Sequence, residues 1–549
     1  MRYNLITLVS TSLILFMSSC NQQGKVENEE MEKSPFEEKV NEYANFTLTS
    51  DLSHLSEKEK QLVGVFIDIA EVMDDLFWLQ TFGDKSVLDT ISDDWAKKFV
   101  NINYGPWDRL DEMKPFIDGW GAKPDGACFY PTDMTKQEFD ALTDTNKNSP
   151  YTVIVRGKDG KLEVVWYKDF YKTHLQKVEK LMQKAIELAE NQQLKHYLEE
   201  RLKAFQTDEY FASDLAWMDM KTSNLDFVVG PIESYEDGIN GVKTAYEACI
   251  LIKDLEWSNK LGKYIAMLPD LQKGLPCPAE YKKETPGTSS DLNVYDIVYY
   301  AGDCNSGGKT IAINLPNDER VHLQKGSRRI QLKNTIRAKF DIISLPIAEL
   351  LLADEYKSHI TFDAFFNNVM FHEVAHGLGI KNLVKGKGTV KDALKQYHSA
   401  YEEAKADILG LYMVENLINK GELQGVSIED AYITFIAGMF RSIRFGAAEA
   451  HGQANMMCLN YFAQKGAFTR DNEGKYHVDM PKAQLAAKEW AETLLKIQGN
   501  GDFAYAEKYL KDNTVISKEM KSDLQRISDA KIPRDIVFTQ GKKVLGLDK

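Results

Sequence analysis

Hydrophobic positions along the chain fall into blocks of different period. The first is an unbroken apolar run from Leu5 to Met17 behind a single cation, Arg2. It is too short and too early for a transmembrane span and has the form of a targeting segment. Asn21 to about Asn45 is polar and acidic, with Glu27, Glu29, Glu30 and Glu32 clustered, and reads as a flexible tether. From Ser56 to about Phe82 the apolar residues Leu62, Val63, Phe66, Ile67, Ala70, Met73 and Phe77 recur at helical spacing. Tyr151–Val155 and Leu162–Trp166 flank Lys158-Asp159-Gly160 and predict a β-hairpin, followed by a long helix with breaks over about Phe170–Phe205.

The pattern then shortens. DFVVGPIESYED, KTAYEACILI, DIVYYAG and TIAINLP are β-branched or aromatic runs separated by Gly, Asn and Pro. They predict strands of one sheet or small barrel, with a helical insert over about Leu255–Leu271. After Pro316 the period becomes helical and stays so: Ile342–Asp354, Thr361–Gly377, Ala393–Asn419, Ile428–Lys465, Pro481–Gln498 and Phe503–Leu510. The expected fold class is α+β, predominantly helical. A leader (1–19) and tether (20–45) precede a mixed lobe (46–253 plus 298–343) and a mainly helical lobe (254–297 plus 344–549). A cleft between two such lobes is a common place for a ligand.

Composition narrows the class. Hydrophobic residues make up 43% and charged residues 27% of the 549, ordinary values for a soluble globular protein. The formal net charge of −15 argues against nucleic acid as a partner. There is no internal repeat and no Walker or dinucleotide glycine motif. Ser18-Ser19 directly before Cys20 gives the leader the look of a bacterial lipoprotein signal, so the expected location is the cell envelope, with a lipid anchor on Cys20. The other five cysteines are widely spaced and odd in number, so a disulfide framework is not expected, although one bridge is possible.

The chemistry centres on Thr361–Asp407. His372, Glu373 and His376 form H-E-x-x-H inside a helical apolar pattern that Gly377 and Gly379 bring to a stop. Positions four apart share a helix face, so both imidazoles can reach one ion. Zinc with two His ligands needs a third protein ligand and an open position. Glu402 and Glu403 are adjacent carboxylates, with Asp407 one turn beyond, and the residues alone do not say which of the two glutamates would bind. Glu373 stands beside the first ligand, where it can take a proton from an activated water.

Several separate segments resemble the dipeptidyl peptidase III family of zinc metallopeptidases. HEVAHGLG resembles its zinc motif, EEAKAD its second motif, PIESYEDG and AINLPND its substrate segments, and EAHGQAN a third, histidine-bearing segment. The earlier region resembles a bacterial and plant branch in which the module follows a nudix domain in some plant proteins, although no nudix box is visible here. The resemblance implies two lobes around a wide cleft, one zinc ion per chain, and removal of N-terminal dipeptides from oligopeptides. It implies His372, His376 and Glu403 as zinc ligands, Glu373 as base, and Glu402 and Asp407 as partners of the ligand imidazoles. Tyr235 and His451 would stabilise the oxyanion, and Glu233, Asn314 and Asn317 would bind the substrate's amino terminus and first peptide unit. Two features depart from the better-known members. They carry one extra residue between the zinc histidines, and many have Arg where this chain has Asn455. The alternatives are another zinc oligopeptidase or aminopeptidase, or a catalytically weak peptide-binding lipoprotein.

The leader can be tested directly. Cys20→Ala should turn a membrane-associated product into an unprocessed or soluble one, because the acyl chains would be the anchor. Unchanged fractionation and unchanged mass would exclude lipidation at Cys20.

Overall fold

The computed structural model describes residues 33–286, 291–444 and 450–548. The apolar leader, Cys20 and most of the expected tether lie outside the described residues. The buried hydrophobic side chains gather into two cores and thereby divide the molecule into a mixed lobe and a helical lobe.

The mixed lobe is built on a five-stranded sheet. Its strands are β1 (Leu225–Glu233), β2 (Ala245–Lys253), β3 (Asp291–Gly302), β4 (Ala312–Leu315) and β5 (Arg328–Leu332), in the order β1-β2-β3-β5-β4. The β3–β5 pair is parallel and the other pairs are antiparallel. Among the described residues the sheet is open, with β4 at one edge, so of the two expected forms it is the sheet and not the barrel. β1 and β2 are buried almost throughout, which explains their near-continuous apolar sequence. Helix α1 (Glu57–Thr81) lies across β2 and β3, started by a capping box between Ser56 and Glu59. Its Phe66 stacks on Phe227 of β1 with centroids 4.1 Å apart. The expected hairpin is present as Thr152–Arg156 against Leu162–Trp166. The expected long helix breaks into Lys172–Leu188 and Gln192–Thr207, with Asn191 capping the second piece.

In the helical lobe, helices α2 (Phe362–Ala375), α3 (His398–Asn419), α4 (Ile428–Ile443), α5 (Ala450–Gln464) and α6 (Met480–Asn500) surround a common core. The helical insert after β2 is present as Leu255–Ala266 and Leu268–Lys273 and belongs to this core.

Three expectations are corrected. The chain after Pro316 is not helical throughout: β5 pairs within the sheet, and Phe468–Arg470 with Tyr476–Val478 forms a hairpin in the helical lobe. The core changes from one lobe to the other between Val294 and Tyr295 and again between Leu332 and Ile336, earlier than the expected divisions at 297 and 343. The ends also differ. Residues Pro35–Asn41 are a helix and Tyr43–Thr47 a strand, where a flexible tether was expected to run to residue 45. That strand pairs in parallel with Asp535–Thr539, whose Phe538 stacks on Tyr300 at 4.8 Å. The C-terminus thus returns to the mixed lobe, a pairing between the two ends of the chain that no local pattern encodes. Cys128, Cys249, Cys277, Cys304 and Cys458 are all free thiols.

Helix α3 packs along α2, and Gly410 permits their close approach. A Cβ at Gly410 would lie 2.8 Å from the amide nitrogen of His372 and 3.0 Å from the carbonyl carbon of Phe371. Both are backbone atoms, so the helices would have to separate. Gly410→Ala should therefore destabilise the protein by about 1–3 kcal/mol, the usual range for overpacking, read by denaturant unfolding. An unchanged unfolding midpoint would mean that the two helices part at no cost.

Candidate metal centre and active site

Helix α2 starts at Thr361, whose hydroxyl accepts from the Ala364 amide. It buries Phe365, Phe366, Met370, Phe371 and Val374 and leaves His372, Glu373 and His376 only partly covered. The helix ends at once after its second histidine. Gly379 adopts φ +88°, and a Cβ there would come within 2.9 Å of Leu495 and 3.0 Å of Lys405. Gln272 clamps this turn through both ends of its side-chain amide, Oε1 accepting from Gly379 N at 2.8 Å and Nε2 donating to Gly379 O at 2.9 Å.

Both imidazoles are held from behind by carboxylates on α3. His372 Nδ1 lies 2.6 Å from Asp407 Oδ1, and His376 Nδ1 lies 3.0 Å from Glu402 Oε1. With Nδ1 committed, Nε2 of each ring is the free ligand atom. These nitrogens turn toward Glu403, whose Oε2 is 3.2 Å from His372 Nε2 and 3.9 Å from His376 Nε2. One ligand atom from each of the three residues lies within 4.8 Å of the others, and among the described residues no second group of this kind occurs. Glu403 Oε2 is buried yet has no hydrogen-bond partner. A buried carboxylate oxygen left without a donor between two imidazole nitrogens is the donor set a divalent metal takes up, and zinc accepts this His₂Glu combination. Of the two adjacent glutamates, Glu403 faces the two Nε2 atoms, and Glu402 stands behind His376.

The electrostatics follow from the same contacts. Burial disfavours charge on Glu402, but His376 and Lys405, 2.7 Å away, outweigh it and bring the carboxyl down to about 2. Gln498 Nε2 adds a further hydrogen bond at 3.2 Å. Lys405 also donates to Leu378 O at 2.9 Å, which ties α3 to the turn after α2. Burial opposes ionisation of Glu403 too, but the neighbouring His372 and His451 imidazoles favour its charged form and hold it far below the usual carboxylate range. On His372, burial lowers the pKa, but the charge and hydrogen bond of Asp407 outweigh it and the net direction is upward.

His451, on the first turn of α5, lies with Nδ1 3.2 Å from Glu403 Oε2, and its side chain is 66% exposed. The structure thus brings His451 to the ligand cluster. Asn455, one turn on, donates to His451 O at 2.9 Å and approaches Asp407 Oδ2 at 3.5 Å. Where many family members have Arg, this chain carries a residue that contacts the carboxylate behind His372.

Glu233, Tyr235 and Asn317 form a separate group on the mixed lobe. Asn317 Nδ2 donates to Ile232 O at 3.2 Å, which joins the loop after β4 to the end of β1. Burial raises the Glu233 pKa, and Asn317 partly opposes this. Tyr235 is 83% exposed. The loop that presents it is pinned by the buried Glu236, which accepts from Thr81 Oγ1 at 2.6 Å and pairs with Lys123 at 2.9 Å. Asn314 is exposed on β4, opposite Arg329 of β5. Arg329 supplies a link that sequence reading missed: its Nη1 donates to Glu373 O at 2.7 Å and so joins the sheet directly to α2 in the helical lobe. The available signal was the Arg-Arg pair heading RRIQL, hidden because the segment reads as part of a helical stretch.

A His₂Glu cluster with Glu373 beside His372, in a molecule whose mixed lobe carries acidic and amide groups, is an arrangement suited to a metallopeptidase. The comparisons agree. The model of peptidase family M49 matches residues 132–388. The structure of DPP III from Caldithrix abyssi superposes with a TM-score of 0.87 at 37% identity, over 92% of this chain and 99% of that one. Dipeptidyl-peptidase III from Corallococcus sp. strain EGB gives 0.74 at 35% identity, over 92% and 96%. Nudix hydrolase 3 of Arabidopsis thaliana is 33% identical over 93% of this chain and 74% of its own length. The chain belongs to peptidase family M49, the dipeptidyl peptidase III family, and is a metallopeptidase of the dipeptidyl-peptidase type.

The two glutamates of α3 should behave differently. Glu403→Ala should lose metal affinity by several orders of magnitude, whereas Glu402→Ala should lose roughly 10–100-fold, as expected when a ligand's hydrogen-bond partner is removed. Competition with a chelating dye measures both, and the reverse ranking would contradict the assigned ligand.

Proposed function

We propose that this protein is a zinc-dependent peptidase that releases dipeptides from the amino terminus of oligopeptides. The observation that carries the reading is the buried, hydrogen-bond-free oxygen of Glu403 beside the Nε2 atoms of His372 and His376. These three residues would hold one zinc ion. Bound there, zinc would supply Lewis acidity, polarising the scissile carbonyl and acidifying water.

The rest of the chemistry falls to the chain's own residues. Glu373 accepts a proton from the attacking water as the water oxygen bonds to the carbonyl carbon of the second residue. It then passes the proton to the leaving amine as the C–N bond breaks. Tyr235 and His451 donate to the oxygen that gains charge. Glu233 pairs with the substrate's ammonium group, and Asn314 and Asn317 orient the adjoining peptide unit through their amides. Ser18-Ser19-Cys20 supports a further part of the reading, that the enzyme works tethered in a bacterial cell envelope. No helix among the described residues is long and apolar enough to cross a membrane.

The amino-terminal contact provides the test. Glu233→Gln should retain zinc and lower kcat/KM for free peptides by roughly ten- to a hundredfold, the worth of a charge-assisted contact. N-acetylated peptides should already be poor substrates and should be much less affected. Mass spectrometry of the products decides between readings. Equal cleavage of acetylated and free peptides, or release of single residues, would point to another zinc oligopeptidase or an aminopeptidase.

A further inference from the structure

We propose that Arg329 is a positioning residue that sets the distance between the substrate's amino terminus and the base, and hence the number of residues released. This rests on the dipeptidyl reading above.

Arg328 and Arg329 are consecutive on a strand, so their side chains point to opposite faces. Arg328 is 1% exposed and locked into the mixed lobe. It pairs with Asp226 at 3.1 Å, donates to Met218 O at 3.2 Å and Met220 O at 2.6 Å, and lies over the Trp217 ring at 4.4 Å. β5 therefore cannot slide or roll without breaking a buried ion pair, and Arg329 is held toward the other face.

From there it reaches the helical lobe. The Gly377 amide, which a continuing α-helix would direct to Glu373 O, bonds Val374 O instead at 3.0 Å. The Glu373 carbonyl is thereby left for Arg329, at a helix C-terminus where a cation is favoured. Arg329 stands directly opposite Asn314 in the antiparallel register, so the two side chains share a face of the sheet. Three residues beyond Asn314, Asn317 holds Ile232 O, next to Glu233. Glu233 and Glu373 belong to different cores, and the path between them runs from Ile232 O to Asn317, along the chain to Asn314, across the sheet register to Arg329 and by its hydrogen bond to Glu373 O. One residue of extended peptide spans about 3.3–3.6 Å. A shift of that size between the lobes changes the product from a dipeptide to a single residue or a tripeptide.

The experiment uses the full chain, peptides with free amino termini, and product masses, alongside zinc content and thermal stability. Arg329→Met should keep its zinc and lower kcat/KM by roughly ten- to a hundredfold, the worth of a hydrogen bond to a charged donor. The loss should fall mainly on kcat, and single residues or tripeptides should appear beside dipeptides. Arg329→Lys keeps a charged donor and should recover most of the dipeptide-only release. Asn314→Ala should cost less in the Arg329→Met background than alone, since the two act through one connection. Should Arg329→Met fail to fold, Arg329→Gln takes its place with the same readouts. If the wild type releases no dipeptides, the functional reading itself fails. If the wild type does, and the zinc-loaded variant releases only dipeptides at an unchanged kcat, the role given to Arg329 is overturned alone.

Discussion

Two hydrogen bonds between carboxylates on α3 and the Nδ1 atoms of His372 and His376 orient the site. Each leaves Nε2 as the free atom of its ring and aims it at the third carboxylate of the same helix. Removing either would free an imidazole to rotate and to choose its tautomer, and the gathering of three donor atoms within 4.8 Å would no longer be fixed. The bonds depend in turn on how near α3 lies to α2, and that depends on the missing side chain at Gly410. Lys405 completes the arrangement by neutralising part of the acidic charge of Glu402 while gripping the carbonyl of Leu378 in the turn after α2.

The spacing of His372 and His376 suits this geometry. Two ligands at i and i+4 of a regular helix present their rings to one point, and the chain then stops the helix with two glycines and a glutamine clamp. Asn455 is a second local adjustment. It offers a short amide that contacts the Asp407 carboxylate and the His451 carbonyl. Both departures from the better-known pattern thus lie at or beside the cluster of His372, His376 and Glu403.

On the opposite side, the sheet supplies the groups that would meet a peptide. The buried ion pair of Arg328 with Asp226 anchors the strand, while its neighbour Arg329 reaches across to Glu373 O on α2. Glu236, buried beside Tyr235, does the same for the loop after β1. In each case one buried charge fixes a backbone, and the next exposed side chain is thereby aimed.

Much of this was legible in the amino-acid order. Helical periodicity marked α1 to α6, β-branched runs marked β1 to β4, and i, i+4 spacing put His372 and His376 on one face, because these patterns are local. β5 was not legible: five residues with two arginines have no strand signature, and only pairing with β3 and β4 makes them one. The strand Tyr43–Thr47 was missed for the same reason, since its partner lies at the far end of the chain. The choice between Glu402 and Glu403 could not be read from residues alone, because adjacent positions on a helix differ only in direction, and direction has meaning only once α3 lies against α2. The part of Arg329 was equally invisible, as it rests on a bond between residues 44 apart in sequence and in different lobes. Local order thus determined which side chains the protein has for metal and peptide, and the packing of α3 on α2 and of β5 in the sheet decided which of them meet.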